Sequence, residues 1–264
     1  NDAAYVLSIG PGGDIYVAGG TESTNLLPGT QTGTVGPVNH IAGNGSPIDG
    51  FIAVISNNGS TVIRSTYIGT TAIDQIFGIQ FDNKGFPYIM GQTTGNWPIQ
   101  NATYSNAGGK QFIVKLEPDL SAFVYSTAFG SGAVTPNISP IAFLFYCCEN
   151  VYISGWGGAI GNGNVFLSAG TTGLPVTADA IKSNTDGKDI YFFVLKKDAA
   201  SLLFASFFGE NNVLPNLGCD HVDGGTSRFD QNGVIYQAVC ANCGGGASFH
   251  TTPGALETAK TASA

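Results

Sequence analysis

Charge is what this chain lacks most. Only 11% of its 264 residues are Asp, Glu, Lys or Arg, against roughly 25% in ordinary soluble domains. Gly, Ser, Thr and Asn must therefore cover most of the surface. Positive charge is the scarcer sign, 10 Lys and Arg against 18 Asp and Glu, for a net charge of −8. That balance disfavours partners held by counter-charge, nucleic acid and anionic lipid. No apolar run approaches the roughly 20 residues of a membrane-crossing helix, so insertion by that route is excluded. No pattern of helical period extends beyond single turns at Ala178–Lys182 and Gly254–Lys260. The three histidines, His40, His221 and His250, stand in separate loops. No Gly-x-Ser-x-Gly, His-Glu-x-x-His or phosphate-loop glycine pattern occurs, and no motif calls for a cofactor. The 38 glycines have no Gly-X-Y period, which excludes collagen. Aromatic residues at 11% exclude disorder.

What is present is a repeat. The stretch from Phe77 to Gly130 reads as two hairpins, with Gln111–Leu116 and Phe123 to Gly130 as the second pair of strands. Their turns are rich in Asp, Asn, Gly, Pro and Ser, which reverse a chain cheaply. The Gly-x-x-Tyr-x-x-Gly core of the first hairpin occurs around Tyr16 and Tyr88 and returns, degraded, around Tyr152 and Tyr236, at spacings of 72, 64 and 84 residues. The second hairpin ends in Ser65-Thr-Tyr-Ile-Gly69, Ser126-Thr-Ala-Phe-Gly130 and Ser206-Phe-Phe-Gly209. Four-stranded units at such spacing predict an all-β β-propeller of antiparallel blades, each covering its neighbour's apolar face. A long β-sandwich is the alternative. The chain reads as one partial propeller over 1–264, with blades near 3–69, 70–130, 131–209 and 210–264, the last incomplete. About three and a half blades cannot close a ring. Other parts of the same large polypeptide, or a neighbouring protein, are expected to complete it. Position 1 is Asn and no signal peptide is visible, so the chain reads as a processed product or, favoured by the repeat phase, a piece of something longer.

In blade one the expected strands are Tyr5–Ile9, Ile15–Ala18, Phe51–Ile55 and Val62–Ile68, with Thr21 to Asp49 as a long loop. Ile141-Ala-Phe-Leu-Phe-Tyr146 in blade three is apolar throughout and reads as a strand buried on both faces. Trp97-Pro98, Leu174-Pro175 and Phe249-His250 recur in the linkers, where an apolar residue would pin each linker to its sheet.

Five cysteines suggest an oxidising compartment, and the odd count leaves one free or paired elsewhere. Cys147-Cys148 occupy a hairpin turn and read either as a vicinal disulfide or as two buried thiols. Cys219 should meet Cys240 and Cys243 on the opposite face. A disulfide within that group is favoured, with a zinc site of Cys219, His221, Cys240 and Cys243 as the alternative. Asp220, His221, Asp223 and Glu210 are the residues an enzyme reading would recruit as acid and base. Calcium would draw on Asp74, Asp82, Asp186, Asp189 and Asp230, which recur near turns, yet no Asp-x-Asp-x-Asp-Gly loop supports it. Trp97 and Trp156 carry the aromatic faces that stack on sugars; anchoring the linkers is their other role.

These motifs carry a family resemblance. Asp49-Gly-Phe51, Ser65-Thr66, Tyr88 and Phe249-His-Thr-Thr-Pro-Gly-Ala255 resemble the bacterial SBBP, or beta-propeller, repeat. Tyr152-Ile-Ser-Gly-Trp-Gly-Gly158, Thr172-Gly-Leu-Pro-Val-Thr177, Tyr191-Phe-Phe-Val-Leu195 and His221 to Asp230 with Cys240-Ala-Asn-Cys243 resemble very large surface proteins of Bacteroidota, which carry PKD-like modules and a gliding-motility-associated C-terminal secretion signal. His250 departs from the repeat, which has Pro there, and Cys148-Glu149 stand where it has Asn-Gly. The resemblance implies type IX export, a secreted or cell-surface site, and a non-enzymatic adhesive or scaffolding role, with no catalytic residues to carry over. A propeller that binds or cleaves surface polysaccharide is the alternative.

Overall fold

The computed structural model describes residues 2–23, 26, 31–35, 48–158, 168–210, 220–222, 227–230, 232, 234–241, 249 and 251–257. It is all-β. The first sheet contains β1 (Asp2–Ile9), β2 (Ile15–Thr21), β3 (Gln31–Val35), β4 (Asp49–Ile55) and β5 (Val62–Ile68), in the order β1-β2-β4-β5-β3. The second is a four-stranded meander of β6 (Asp74–Phe81), β7 (Pro87–Thr93), β8 (Gln111–Leu116) and β9 (Phe123–Phe129). The third repeats it with β10 (Ser139–Tyr146), β11 (Asn150–Trp156), β12 (Ile190–Leu195) and β13 (Leu202–Phe208). A two-stranded sheet, β14 (Ser227–Phe229) and β15 (Ile235–Gln237), follows. The helical content of the described residues is two 3-10 turns, Cys147–Glu149 and Lys197–Ala199.

The three sheets stack face to face in chain order, and alternation along each strand shows why. In β8, Phe112, Val114 and Leu116 point into a first seam with Ile52, Val54 and Ile68 of the first sheet. Ile113 points the other way, into a second seam with Val151, Ile153, Tyr191, Phe193 and Leu195 of the third. In β12, Ile190 and Phe192 turn from that seam toward Ile235 of the last hairpin. A strand that faces a neighbour on both sides must be apolar at successive positions, and both β8 and β12 are buried along their whole length.

The repeat extends to irregularities of the backbone. The first strand pair of each sheet slips register near its start, at Ala4/Val6, Ile76/Gly78 and Pro140/Ala142. The last pair slips at Val54/Ile55, Lys115/Leu116 and Val194/Leu195. Bulges add twist locally, so equal bulges give the sheets equal shape. A second device ties each sheet to the next. After the Gly that follows β5, β9 and β13, the backbone N–H of Thr70, Ser131 and Glu210 donates to a side-chain oxygen of Asp74, Asn137 and Asp220, each just ahead of or at the start of the following sheet. A Cβ on Gly69 would lie 2.9 Å from Asp74 Oδ2, and one on Gly209 only 1.9 Å from Asp220 Oδ2. The glycines are there to admit the carboxylates.

Two expectations are corrected. Residues 21–49 are not loop throughout, because β3 adds parallel to β5. The outermost strand leaves a row of unpaired backbone groups, which β3 covers. The segment 141–146 is half-buried rather than buried on both faces, because β10 is an edge strand of its sheet. The first strands β1, β6 and β10 lie successively side by side. The described sheets do not close into a ring.

Candidate functional site

Tight turns at one end of the second and third sheets build the site. In the β6–β7 turn, Asp82 Oδ1 accepts the N–H of Lys84 and of Phe86, both at 2.9 Å. The β14–β15 turn is held in the same way by Asp230, which accepts from Asn232 and Val234. The equivalent turn of the third sheet has Cys147-Cys148-Glu149, and there Cys148 and Glu149 adopt φ of +69° and +60°. Asp198 and Ala199 in the β12–β13 turn, and Asn101 in the linker after β7, are also left-handed. Of six such non-glycine residues among those described, five gather here; the sixth is Leu120. Each costs about 1–3 kcal/mol, and such residues cluster at functional sites.

The turns enclose a cleft of about 400 Å³ at the mouth of the second seam. Its floor is Lys115 and Tyr125. Lys115 sits 7% exposed, with Nζ 3.0 Å from Asp82 Oδ2 and over the rings of Phe86 and Tyr88 at 4.7 and 5.0 Å. The rim carries Lys84, Asn101, Glu149, Lys197 and Asp198. Lys197 Nζ lies 2.9 Å from Glu149 Oε2. Two hydroxyls below, Tyr88 Oη and Tyr125 Oη, are buried with no hydrogen-bond partner among the described residues. Burial holds both above the usual phenol range. Burial also pulls the Asp82 carboxyl up, but the N–H of Phe86, the Lys115 ammonium and the N–H of Lys84 outweigh it and leave the group below the usual carboxylate range. The Glu149 carboxylate raises the Lys197 ammonium. The three ammonium groups and the carboxylates of Asp82, Glu149 and Asp198 sum to zero formal charge.

No sequence motif marks this cleft. The available signals were a lysine inside the apolar run Phe-Ile-Val-Lys-Leu of β8, and Cys-Glu where the other hairpin turns have glycine.

The residues singled out from sequence lie elsewhere. Trp97 and Trp156 are not exposed to a ligand; they are 7% and 8% exposed. The Trp97 indole stacks on Phe112 at 3.6 Å between centroids and donates Nε1–H to Ser126 Oγ at 2.8 Å. Trp156 packs with Ile190 and Phe192, 6.0 Å from the His221 ring. The linkers are pinned as the pattern suggested: Leu174 lies in the second seam and Phe249 against Phe208. Cys148 is a free, exposed thiol, which removes both the vicinal disulfide with Cys147 and the pair of buried thiols. A left-handed residue at a turn tip turns its side chain to solvent. Cys240 is disulfide-bonded; Cys219 and Cys243 lie outside the described residues. A bonded Cys240 sulfur has no thiolate to give a metal, and the rest of the proposed zinc set falls partly outside the described residues. Among the described residues no three His, Cys, Asp or Glu side chains gather as metal ligands.

The carboxylates serve the backbone. Asp220 accepts from Glu210 N–H, and His221 exchanges backbone hydrogen bonds with Cys240. Asp220, His221 and Glu210 are all buried, and Asp223 lies outside the described residues. Of the calcium candidates, Asp74 ties the first seam, Asp82 and Asp230 close turns, Asp186 accepts from Lys188 N–H, and Asp189 pairs with Lys182. Burial raises the Asp189 carboxyl, with Lys182 opposing.

The chain matches no protein-family model, and no curated protein matches it.

Proposed function

We propose that this chain is a non-enzymatic spacing and contact module, a run of propeller blades exported to the cell surface and used for adhesion or assembly. One observation carries the reading: three successive sheets share a strand order, two bulges and a glycine–carboxylate or glycine–amide tie, and lean on one another through apolar seams. Sheets repeated in this way are a means of holding linkers and turns at fixed intervals. Further sheets, in the same polypeptide or a neighbour, complete the ring. Leu7 and Ile9 on β1 are 62% and 58% exposed, and an apolar groove runs between β1, β6 and β10, lined by Val6, Leu7, Ile79, Ile141 and Phe143. A patch of this kind marks a contact surface.

The test is an in-frame deletion of the segment in the producing cell, with the purified chain assayed beside it. The expected result is lost attachment or surface assembly, surface labelling of the intact wild-type cell, and no turnover of polysaccharide or peptide panels. A reproducible hydrolysis product made by the purified chain, or wild-type attachment by the deletion strain, overturns the proposal.

A further inference from the structure

The cleft between the second and third sheets has a chemistry the spacing role does not use. We propose that it is a binding site for a neutral saccharide. Phe86, Val124 and Tyr125 give it apolar surface beside its charged rim, and the charges cancel: Lys115 with Asp82 at 3.0 Å, Lys197 with Glu149 at 2.9 Å, and Lys84 and Asp198 remaining, one of each sign. A phosphate or a cation would gain little from such a balance. A hydroxyl-bearing ring gains from it, because each hydroxyl both donates and accepts. Adjacent ring hydroxyls match the spacing of an ammonium–carboxylate pair, one accepting from Lys197 and the other donating to Glu149. Asn101 donates its amide to Val124 O, which holds its oxygen in a fixed orientation at the rim.

Two further observations point to a ligand. Tyr88 and Tyr125 bury hydroxyls that no described residue satisfies, and Tyr125 lines the cleft. An unsatisfied buried hydroxyl costs about 1–3 kcal/mol; Tyr125 Oη is sealed beneath the cleft, and a turn of its ring toward a bound ligand hydroxyl would recover that cost. The five left-handed residues fix the rim in a conformation that the turns would not otherwise adopt. The volume lies within the roughly 300–1,000 Å³ of small-ligand pockets. The site needs no ring closure, so its failure leaves the spacing role standing.

The experiment titrates the intact chain with methyl glycosides of glucose, galactose, mannose and N-acetylglucosamine and with their disaccharides, read by saturation-transfer NMR. Inorganic phosphate, acetate and putrescine are the charged controls. At least one glycoside should bind with a Kd near 1 mM or tighter (the weak end of useful affinity), and the controls should not. Tyr125→Phe keeps the packing and should weaken binding about five- to tenfold; Glu149→Gln and Asn101→Gly should do the same. A purely structural role for these residues would alter unfolding midpoints but leave affinity and sugar selectivity unchanged. The proposal is overturned if no glycoside binds, if a charged control binds more tightly, or if all three variants retain wild-type affinity.

Discussion

Replacing Trp97 with Ala tests the seam description most directly. The indole is almost wholly buried in the first seam, stacked on Phe112 with planes 3° apart and within 6.4 Å of Phe123. Truncation to Ala removes that packing and leaves a cavity between two rigid sheets that cannot collapse into it. The expected cost is about 3–5 kcal/mol, the range for buried Phe and Trp truncations. Loss of the Nε1–H bond leaves Ser126 Oγ still donating to Pro98 O, so little of the cost is electrostatic. Trp97→Phe retains one ring of the stack and should cost about 1–2 kcal/mol. The assay is urea unfolding followed by far-UV circular dichroism, with thermal melts in parallel. At about 2–4 °C per kcal/mol for a chain of this size, Trp97→Ala should melt about 6–20 °C lower. A loss below about 1 kcal/mol would refute the reasoning, because an exposed linker aromatic costs no more than that. Glycoside affinity should be unchanged in Trp97→Phe.

Asp82→Asn should destabilise by about 3 kcal/mol near neutral pH by leaving Lys115 buried and unpaired. Because the Asp82 pKa is lowered on folding, the wild-type advantage is present above the ordinary carboxylate pKa and is lost as pH falls through the depressed value; paired urea titrations across pH 2–7 check the sign. Gly91→Ala places a Cβ 2.2 Å from Gln75 O and 2.3 Å from Phe112 Cζ, so it should cost several kcal/mol or abolish folding, about 3 or more. Gly59→Ala meets nothing within 4 Å and pays only for φ of +73°, about 1 kcal/mol; equal melting shifts would contradict this contrast. A thiol reagent should label Cys148 in the native chain, and Cys148→Ser should remove that signal.

How much of this was legible depends on how local each feature is. Val62–Ile68 and Gln111–Leu116 read correctly from sequence because turn residues bracket a run of β-branched and aromatic residues on both sides. β3 did not, since what makes residues 31–35 a strand is the bare edge of β5, about thirty residues away in sequence. The segment 141–146 shows apolar residues throughout, but its pattern does not say that one strand edge lies open. Trp97 and Trp156 have the same composition whether they face a ligand or a seam; stacking on Phe112 is a tertiary fact. The cleft draws on turns from two sheets and a linker, from Lys84 to Asp198, and no periodicity spans such an interval. The local traces it leaves are Lys115, a charge among buried hydrocarbons, and Cys148-Glu149 in a hairpin turn, and neither by itself points to a cleft.

The tie at each glycine has a direction. Asp74, Asn137 and Asp220 come later in the chain than the strands whose exits they fasten, so a sheet stays unlatched until the segment that follows it is in place. The ties therefore run like a zip drawn from the amino end, each tooth closing the one before. Shortening the chain from its carboxyl side should undo the final closure and spare the earlier ones.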